Sequence, residues 1–469
     1  MIAVPARWIT SRSNLVLVTT VLASSLAFID GSVVNVGLPA IENTFRASAG
    51  NLQWVINAYL LPLGALLLLG GAAGDQFGRA RLLVIGTAVF GVASLGCAVA
   101  SDMYWLLVCR CLQGVGSALL MPNSLAILGA SFAGEARGRA VGIWASTGAV
   151  MGAVGPVLGG WLIDTVGWRA IFLINLPLAL GSIILATHFI QDPRQKVELA
   201  TLDFSGGTLA TAGLGALTWG LTIGSGPQGW TINALLATAA GAILMLIFLA
   251  VERSAGGRAM MPLVLFASSS FVGLTVLTFL LYGALGVLLV LVPYLLIQVS
   301  GYSGTQAGAA LLPFSIVLAS ASPVIGALAG RIGARAPLSI GSMLMGAGFL
   351  LCLRIGPPAD YWTSVLPATL IIAIGMAGAV APLTTAVLGS VDNEHTGSAS
   401  GLNNAVARIG GMVATALLGG VLSAAGSTLV GGFHVAVIMC AIASTAAAGF
   451  AFFIIPADRP QSPGSTNGL

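Results

Sequence analysis

The sequence predicts an all-α protein that crosses a membrane many times: two six-helix bundles separated by an inserted two-helix hairpin. Three observations carry this. Of 469 residues, 57% are hydrophobic and 7% charged, with mean hydropathy +1.01, whereas soluble domains carry about 25% charged residues. Apolar runs of about 20 residues, the length that spans a hydrocarbon core, recur fourteen times with short loops between them. Weak sequence matches recur at nearly one offset on either side of the middle of the chain.

The spans are expected near 14–38, 51–73, 82–100, 104–127, 140–163, 170–190, 204–224, 231–251, 270–297, 305–328, 337–355, 362–388, 399–424 and 432–455. In the first, Ser24-Ser25-Leu26-Ala27 is similar to a signal-peptide cleavage site, but the apolar run continues through Val33, Val34, Val36 and Leu38. That exceeds a signal h-region of about 7–15 residues, so a retained helix is expected. The 63 glycines suit helices that approach closely in lipid.

The formal charge of +4 and pI ≈ 9.0 do not mark a nucleic-acid binder, because the basic residues sit in short loops between apolar spans. One side would hold Arg7, Arg12, Arg79, Arg81, Arg137, Arg139, Arg194, Lys196, Arg253, Arg258, Arg331, Arg335 and Arg459. The other would hold Arg46, Arg169 and Arg354, with Arg110 and Arg408 inside spans. Basic residues favour the cytoplasmic side, so both termini are expected inside. Arg194 and Lys196 precede spans seven and eight while Arg253 and Arg258 follow them, so an even number of crossings separates two cytoplasmic loops. A hairpin turning at 224–229, rich in Gly and Pro, satisfies that parity.

Around the hairpin lies the repeat. The run Gly71 to Gly78 is matched faintly by Gly326 to Gly333, and Pro122 to Gly129 by Pro382 to Gly389. Duplicated halves of six spans follow, a pattern of secondary transporters. The expected division is 1–200 for the first bundle, 201–258 for the hairpin and linkers, and 259–469 for the second bundle and a short polar tail.

One residue stands against its surroundings. Asp30 lies in the apolar stretch Ala27 to Pro39, where an ionisable group costs roughly 2.5–3.5 kcal/mol to insert. It is therefore expected to face a polar interior or a partner. Arg110 in span four supplies one. Counting about 1.5 Å per residue from the outer helix ends puts Asp30 at ~12 Å and Arg110 at ~9 Å, with Gln113 one turn from Arg110. In span five, Gly148, Gly152, Gly155 and Gly159 follow a single helix face, with Pro156 and Gly160 beside it.

These residues resemble a known family. Phe28 to Pro39 around Asp30 is similar to the first-helix motif of fourteen-helix drug:proton antiporters, a branch of the major facilitator superfamily. The loop Gly71 to Arg81, with Asp75, Gly78 and Arg79, resembles the superfamily signature, although Gln76 stands where Arg is usual and Ala80 also departs from the pattern. Leu106 to Ala118 resembles its fourth-helix motif, Gly148 to Gly160 its antiporter motif, and Trp168 to Pro177 its sixth helix. Tyr294 to Gln298, Ala307 to Pro313 and Gly401 to Gly411 match the second half.

The resemblance implies the major facilitator fold and a proton-coupled exporter of lipophilic or cationic small molecules, working by alternating access in multidrug efflux. It gives Asp30 and Arg110 to proton coupling and Asp75, Gly78 and Arg79 to a latch whose target is the start of span thirteen. Span five becomes the antiporter helix, on whose glycine face the halves could move. Polar residues inside spans, Asn35, Gln113, Asn403, Asn404 and Arg408, are candidates for the substrate path. Export of an endogenous metabolite, lipid or siderophore is an alternative, and a non-transporting sensor a more distant one.

Expected partners are a small-molecule substrate, a proton and the bilayer, with no nucleic acid, and the chain is read as a monomer. The cysteines (Cys97, Cys109, Cys111, Cys352, Cys440) lack metal spacing and are read as buried apolar groups, and His188, His395 and His434 lack ligand neighbours. With no phosphate loop, nucleophile elbow or zinc helix, neither an enzyme nor a cofactor is expected. A single Lys and no N-x-Ser/Thr acceptor fit a bacterial inner membrane.

Overall fold

The structure, a computed structural model, describes residues 12–190, 203–256, 259–357, 360–392 and 396–455. The basic residues Arg7, Arg194, Lys196, Arg258 and Arg459, His395, and the tail from Pro456 to Leu469 lie outside the described residues.

The first bundle holds α1 (Arg12–Phe45), α2 (Ala49–Phe77), α3 (Arg79–Ala98), α4 (Met103–Ser131) and α5 (Gly134–Thr165), with α6 (Ala170–Leu173) and α7 (Asn175–Phe189) as its sixth rod. That rod breaks at Ile174 because Pro177 has no N–H to donate back one turn. The hairpin is α8 (Phe204–Gly224) and α9 (Ile232–Ala255). The second bundle holds α10 (Ser269–Ser300), α11 (Gly304–Ala310), α12 (Leu312–Ile332), α13 (Arg335–Leu351), α14 (Leu366–Gly389), α15 (Thr396–Ala416), α16 (Gly419–Leu422) and α17 (Gly426–Ile454).

Side-chain caps start several rods: Ser48 accepts from the Asn51 N–H, Asp102 from Trp105, and Asp203 from Gly206. Ser303 and Gln306 form a reciprocal capping box on α11. The repeat reappears as geometry. Gly78 ends α2 at φ 103° and Gly333 ends α12 at φ 87°, a left-handed region that favours glycine.

Among the described residues, twelve helical stretches are long and apolar enough to cross a membrane. The stretches expected as spans seven and thirteen, α8 and α15, are helices of 21 residues each but fall outside that set. Gly and Thr dilute the hydropathy of α8, and Asn403, Asn404 and Arg408 that of α15. Expected span thirteen also breaks, with a turn at Leu417–Leu418 between α15 and α16.

Within the first bundle α3 packs on α4 and α7, α2 on α4, and α1 on α5 and α7. In the second, α13 packs on α14 and α17, α10 on α15 and α17, and α12 on α14. The hairpin helices pair with each other, and α8 leans on α2 and touches α15. The bundles meet along α2–α15, α5–α11, α5–α12 and α1–α10.

At the C-terminal ends of α1 and α5 the bundles are stitched together. Glu42 accepts hydrogen bonds from the Tyr294 hydroxyl at 2.8 Å and the Gln298 amide at 3.2 Å. Asp164 caps α11 across the interface, accepting from the Gly304 and Thr305 N–H groups at 2.9 and 2.8 Å and the Thr305 hydroxyl at 2.6 Å. Gln53 donates to the Thr415 and Ala416 carbonyls at 2.9 and 3.1 Å, at the end of α15 where the helix breaks. Backbones also touch, Gly160 on Gly304 and Gly308 on the Pro156 carbonyl.

Candidate functional site

Between the bundles lies a cavity of about 290 Å³ whose wall includes Asp30, Asn35, Tyr59, Arg110, Asn404 and Arg408. Asp30 comes from mid-α1 and Arg110 from α4, and both are buried, at 0% and 1% exposure. Burial this complete requires pairing, because an isolated charge in a low-dielectric interior is prohibitive. The pairing is direct: Arg110 Nη1 donates to Asp30 Oδ2 at 2.5 Å. Comparable depth, expected from residue counting, becomes a contact.

The neighbours satisfy what this bond leaves over. Arg110 Nη1 also reaches Gln113 Oε1 at 2.8 Å, and Arg110 Nε donates to the Val55 carbonyl at 2.9 Å. Gln113 Nε2 donates to Asp30 Oδ1 at 3.2 Å and to Ser94 Oγ at 2.8 Å. Asn175 Nδ2 donates to the same hydroxyl at 3.3 Å, and the Cys97 thiol donates to Gln113 Oε1 at 3.4 Å. The guanidinium lies 4.6 Å from the Tyr59 ring centroid and 5.9 Å from that of Phe172, distances at which a ring face attracts a cation. Tyr59 is itself held by Ser117 at 3.1 Å. Asp30 therefore spends both oxygens inside the first bundle.

Other expected residues divide. Asn404 and Arg408 stand across the cavity from the pair, and Asn35 lies where it joins a second cavity of about 160 Å³. Asn403 does not reach the cavity: its Oδ1 accepts from Thr278 on α10 at 2.6 Å. Gln113 sits behind Asp30 rather than on the cavity wall. Ser94, Tyr59 and Asn175 join the network without a role expected from sequence, because which helix face meets the ion pair is set by packing.

The α5 glycines do not form a sliding face between the bundles. A Cβ at Gly148 would meet the Phe28 ring, at Gly155 the Ser32 hydroxyl, and at Gly159 Val33, all on α1 of the same bundle. Gly152 has nothing within 4 Å and opens on the smaller cavity. The opposite bundle is met by Pro156 and Gly160, through Gly308 and Gly304. A helix has several faces, and the spacing rule finds the smooth one without saying what covers it.

The signature loop is also local. Asp75 pairs with Arg79 at 2.8 Å one turn on, and Arg79 Nη1 donates to the Ala126 carbonyl at 3.3 Å, so the acid is held inside its own bundle in this conformation. Cys111 is exposed, contrary to expectation, while the other four cysteines are buried. His434 bonds the Ile355 carbonyl at 3.0 Å and His188 the Ile184 carbonyl at 2.8 Å. One buried acid went unnoticed: Glu252, at the base of the hairpin, accepts from the Met261 N–H at 2.7 Å and is 1% exposed. Its charged neighbours in sequence made it look like part of a loop.

Comparison with known proteins fits this architecture. The chain is 32% identical over 419 residues to the multidrug resistance protein Stp of Mycobacterium tuberculosis, covering 87% of this chain and 76% of that one. It is 31% identical over 437 residues to a methylenomycin A resistance protein of Bacillus subtilis, covering 92% of each. The cephamycin export protein CmcT of Amycolatopsis lactamdurans is 34% identical over 414 residues, with 87% of this chain and 85% of that one covered. Among solved structures, a D-xylose-proton symporter superposes with TM-score 0.69 at 16% identity, over 95% of this chain and 99% of that one, which speaks to the fold alone. A model described as Major Facilitator Superfamily matches residues 20–276 and 274–468. The chain belongs to the major facilitator superfamily, a family of transporters rather than enzymes, and its relatives include drug-resistance and export proteins.

Proposed function

We propose that the protein is a proton-coupled exporter of lipophilic small molecules in a bacterial cell membrane, working by alternating access. One observation carries the reading: a carboxylate with no exposure, ion-paired to Arg110, sits on the wall of a cavity between two bundles. Deprotonated, Asp30 holds Arg110. A proton removes that charge and releases the guanidinium to other partners, so one protonation event rearranges the cavity wall. Exchange arises when the substrate-loaded and the protonated carriers each change state and the others do not, a coupling between two sites.

The chain would cross the membrane fourteen times, with both termini inside and the three units divided near residues 200 and 258. The stitched end, with Glu42 and Asp164, would then face outside. Asp75, Gly78 and Arg79 would form the inner latch, and α15 would be its target when the inner end closes. The antiporter helix α5 would act through Pro156 and Gly160 at the interface and through Gly148, Gly155 and Gly159 against α1.

Everted vesicles with an imposed pH gradient, loaded with wild type or Asp30→Asn and challenged with a panel of lipophilic drugs, test the proposal. Wild type should dissipate the gradient on drug addition and the variant should not; equal dissipation defeats it. Relatives named for single compounds, such as cephamycin and tetracenomycin C, favour a second reading in which the cargo is one defined metabolite. A substrate panel separates the two.

A further inference from the structure

The charges on the cavity wall do not balance. Its lining includes three charged side chains: Asp30, Arg110 and Arg408. Asp30 is consumed, with Oδ2 bound to Arg110 and Oδ1 to Gln113. Arg408 projects from α15 on the opposite bundle and is half-buried. Among the described residues, no carboxylate lies within ion-pair distance of it. Two guanidinium groups and one carboxylate leave the wall with a net charge of +1. A cation placed there meets a surplus of its own sign, and the single acid that could receive it is already occupied.

From this geometry we infer that the cavity recognises an anionic amphipath: a carboxylate, sulfonate or phenolate head bound by Arg408, on an apolar body. The inference rests on the transport site proposed above and fixes its substrate class, against the cationic cargo that the sequence resemblance allowed. Arg408 is suited to the task because a guanidinium presents paired donors to an oxyanion and stays charged throughout the physiological range. With a monoanion bound, the fixed and ligand charges sum to zero, and Arg408 gains the partner that its half-buried position lacks. The body has a place as well. The cavity at the ion pair and the smaller one share Asn35, Leu285 and Leu289, and the smaller one is lined by Pro156, Phe314 and Leu318.

The experiment uses purified full-length protein in nanodiscs and two probes of opposite charge, anilinonaphthalene sulfonate and tetraphenylphosphonium. Wild type should bind the sulfonate and discriminate against the cation. Arg408→Ala should weaken sulfonate binding by roughly tenfold to a hundredfold, the range for a hydrogen bond to a charged group. Arg408→Lys should restore part of it, which also shows that the variants fold. Asp30→Asn should abolish proton-coupled export in everted vesicles while sulfonate binding through Arg408 persists. Failure of wild type to bind the sulfonate, tighter binding of the cation, or an Arg408→Ala variant with unchanged sulfonate affinity overturns the inference. If the sulfonate binds through Arg408 but moves in the same direction as the proton, the anion site stands and the exchange reading above falls.

Discussion

The two bundles share a repeat and a helix order but bury different chemistry. The first encloses an ion pair and several amides, with Asp30, Arg110, Gln113, Asn123 and Asn175 all buried. The second, among its described residues, buries hydroxyls alone: Thr278, Ser342, Thr369, Thr415 and Ser444. Four of these bond a carbonyl one turn back, although Thr278 also donates across to Asn403 on α15. A polar network between helices fixes their register, because each misplacement leaves a buried group unpaired. Hydroxyls satisfied at home impose no such condition. The first bundle thus holds the ion pair in a polar network between helices, and the second contributes Asn404 and Arg408 to the cavity wall.

The sharpest way to break this comparison is to unbalance the ion pair. Arg110→Ala should abolish coupled transport and lower stability by about 3–5 kcal/mol, the cost of stranding one buried charge. Thermal unfolding in detergent reads the second effect, and a change below ~1 kcal/mol would make the pair no better than a surface one. Next in size is the bundle interface. Gly160→Leu should stop transport, because its side chain would overlap the Gly304 backbone. Gly142→Ala, on the same helix with nothing within 4 Å, should transport normally in the same vesicle assay. A smaller effect is expected at the stitched end. Asp164→Asn gives up an acceptor oxygen that binds Thr305 twice, so the Thr305 amide should exchange its hydrogen several-fold faster in that background. The smallest contrast sharpens the comparison itself. Ser94→Ala removes a hydroxyl shared by Gln113 and Asn175 and should cost about 1–3 kcal/mol. Ser444→Ala, whose hydroxyl bonds only its own helix, should cost about 0.5 kcal/mol or less. Equal costs would remove the distinction between the bundles.

Much of this was readable before any coordinates. An acid in an apolar run must find a partner, and counting residues to the helix ends put Arg110 beside it. The repeat around Gly78 and Gly333 marked two equivalent turns, since few residues other than glycine take that backbone shape. The α5 glycine spacing marks a helix face on which the halves were expected to move, and the structure packs Gly148, Gly155 and Gly159 of that face against α1 of the same bundle. Asn403 and Asn404 looked alike, yet a rotation of about 100° between successive helix positions sends one to Thr278 and the other to the cavity.

Composition, periodicity and the cost of burying charge therefore determined the class, the rods and the identity of the ion pair, because those depend on each helix and its solvent. Which face meets which helix depends on how rods are rotated and crossed, and that is settled by packing among residues far apart in the chain. The tertiary structure alone decided that Asp30 is spent, that Glu252 is buried, and that Arg408 stands on the cavity wall with no carboxylate in ion-pair distance among the described residues.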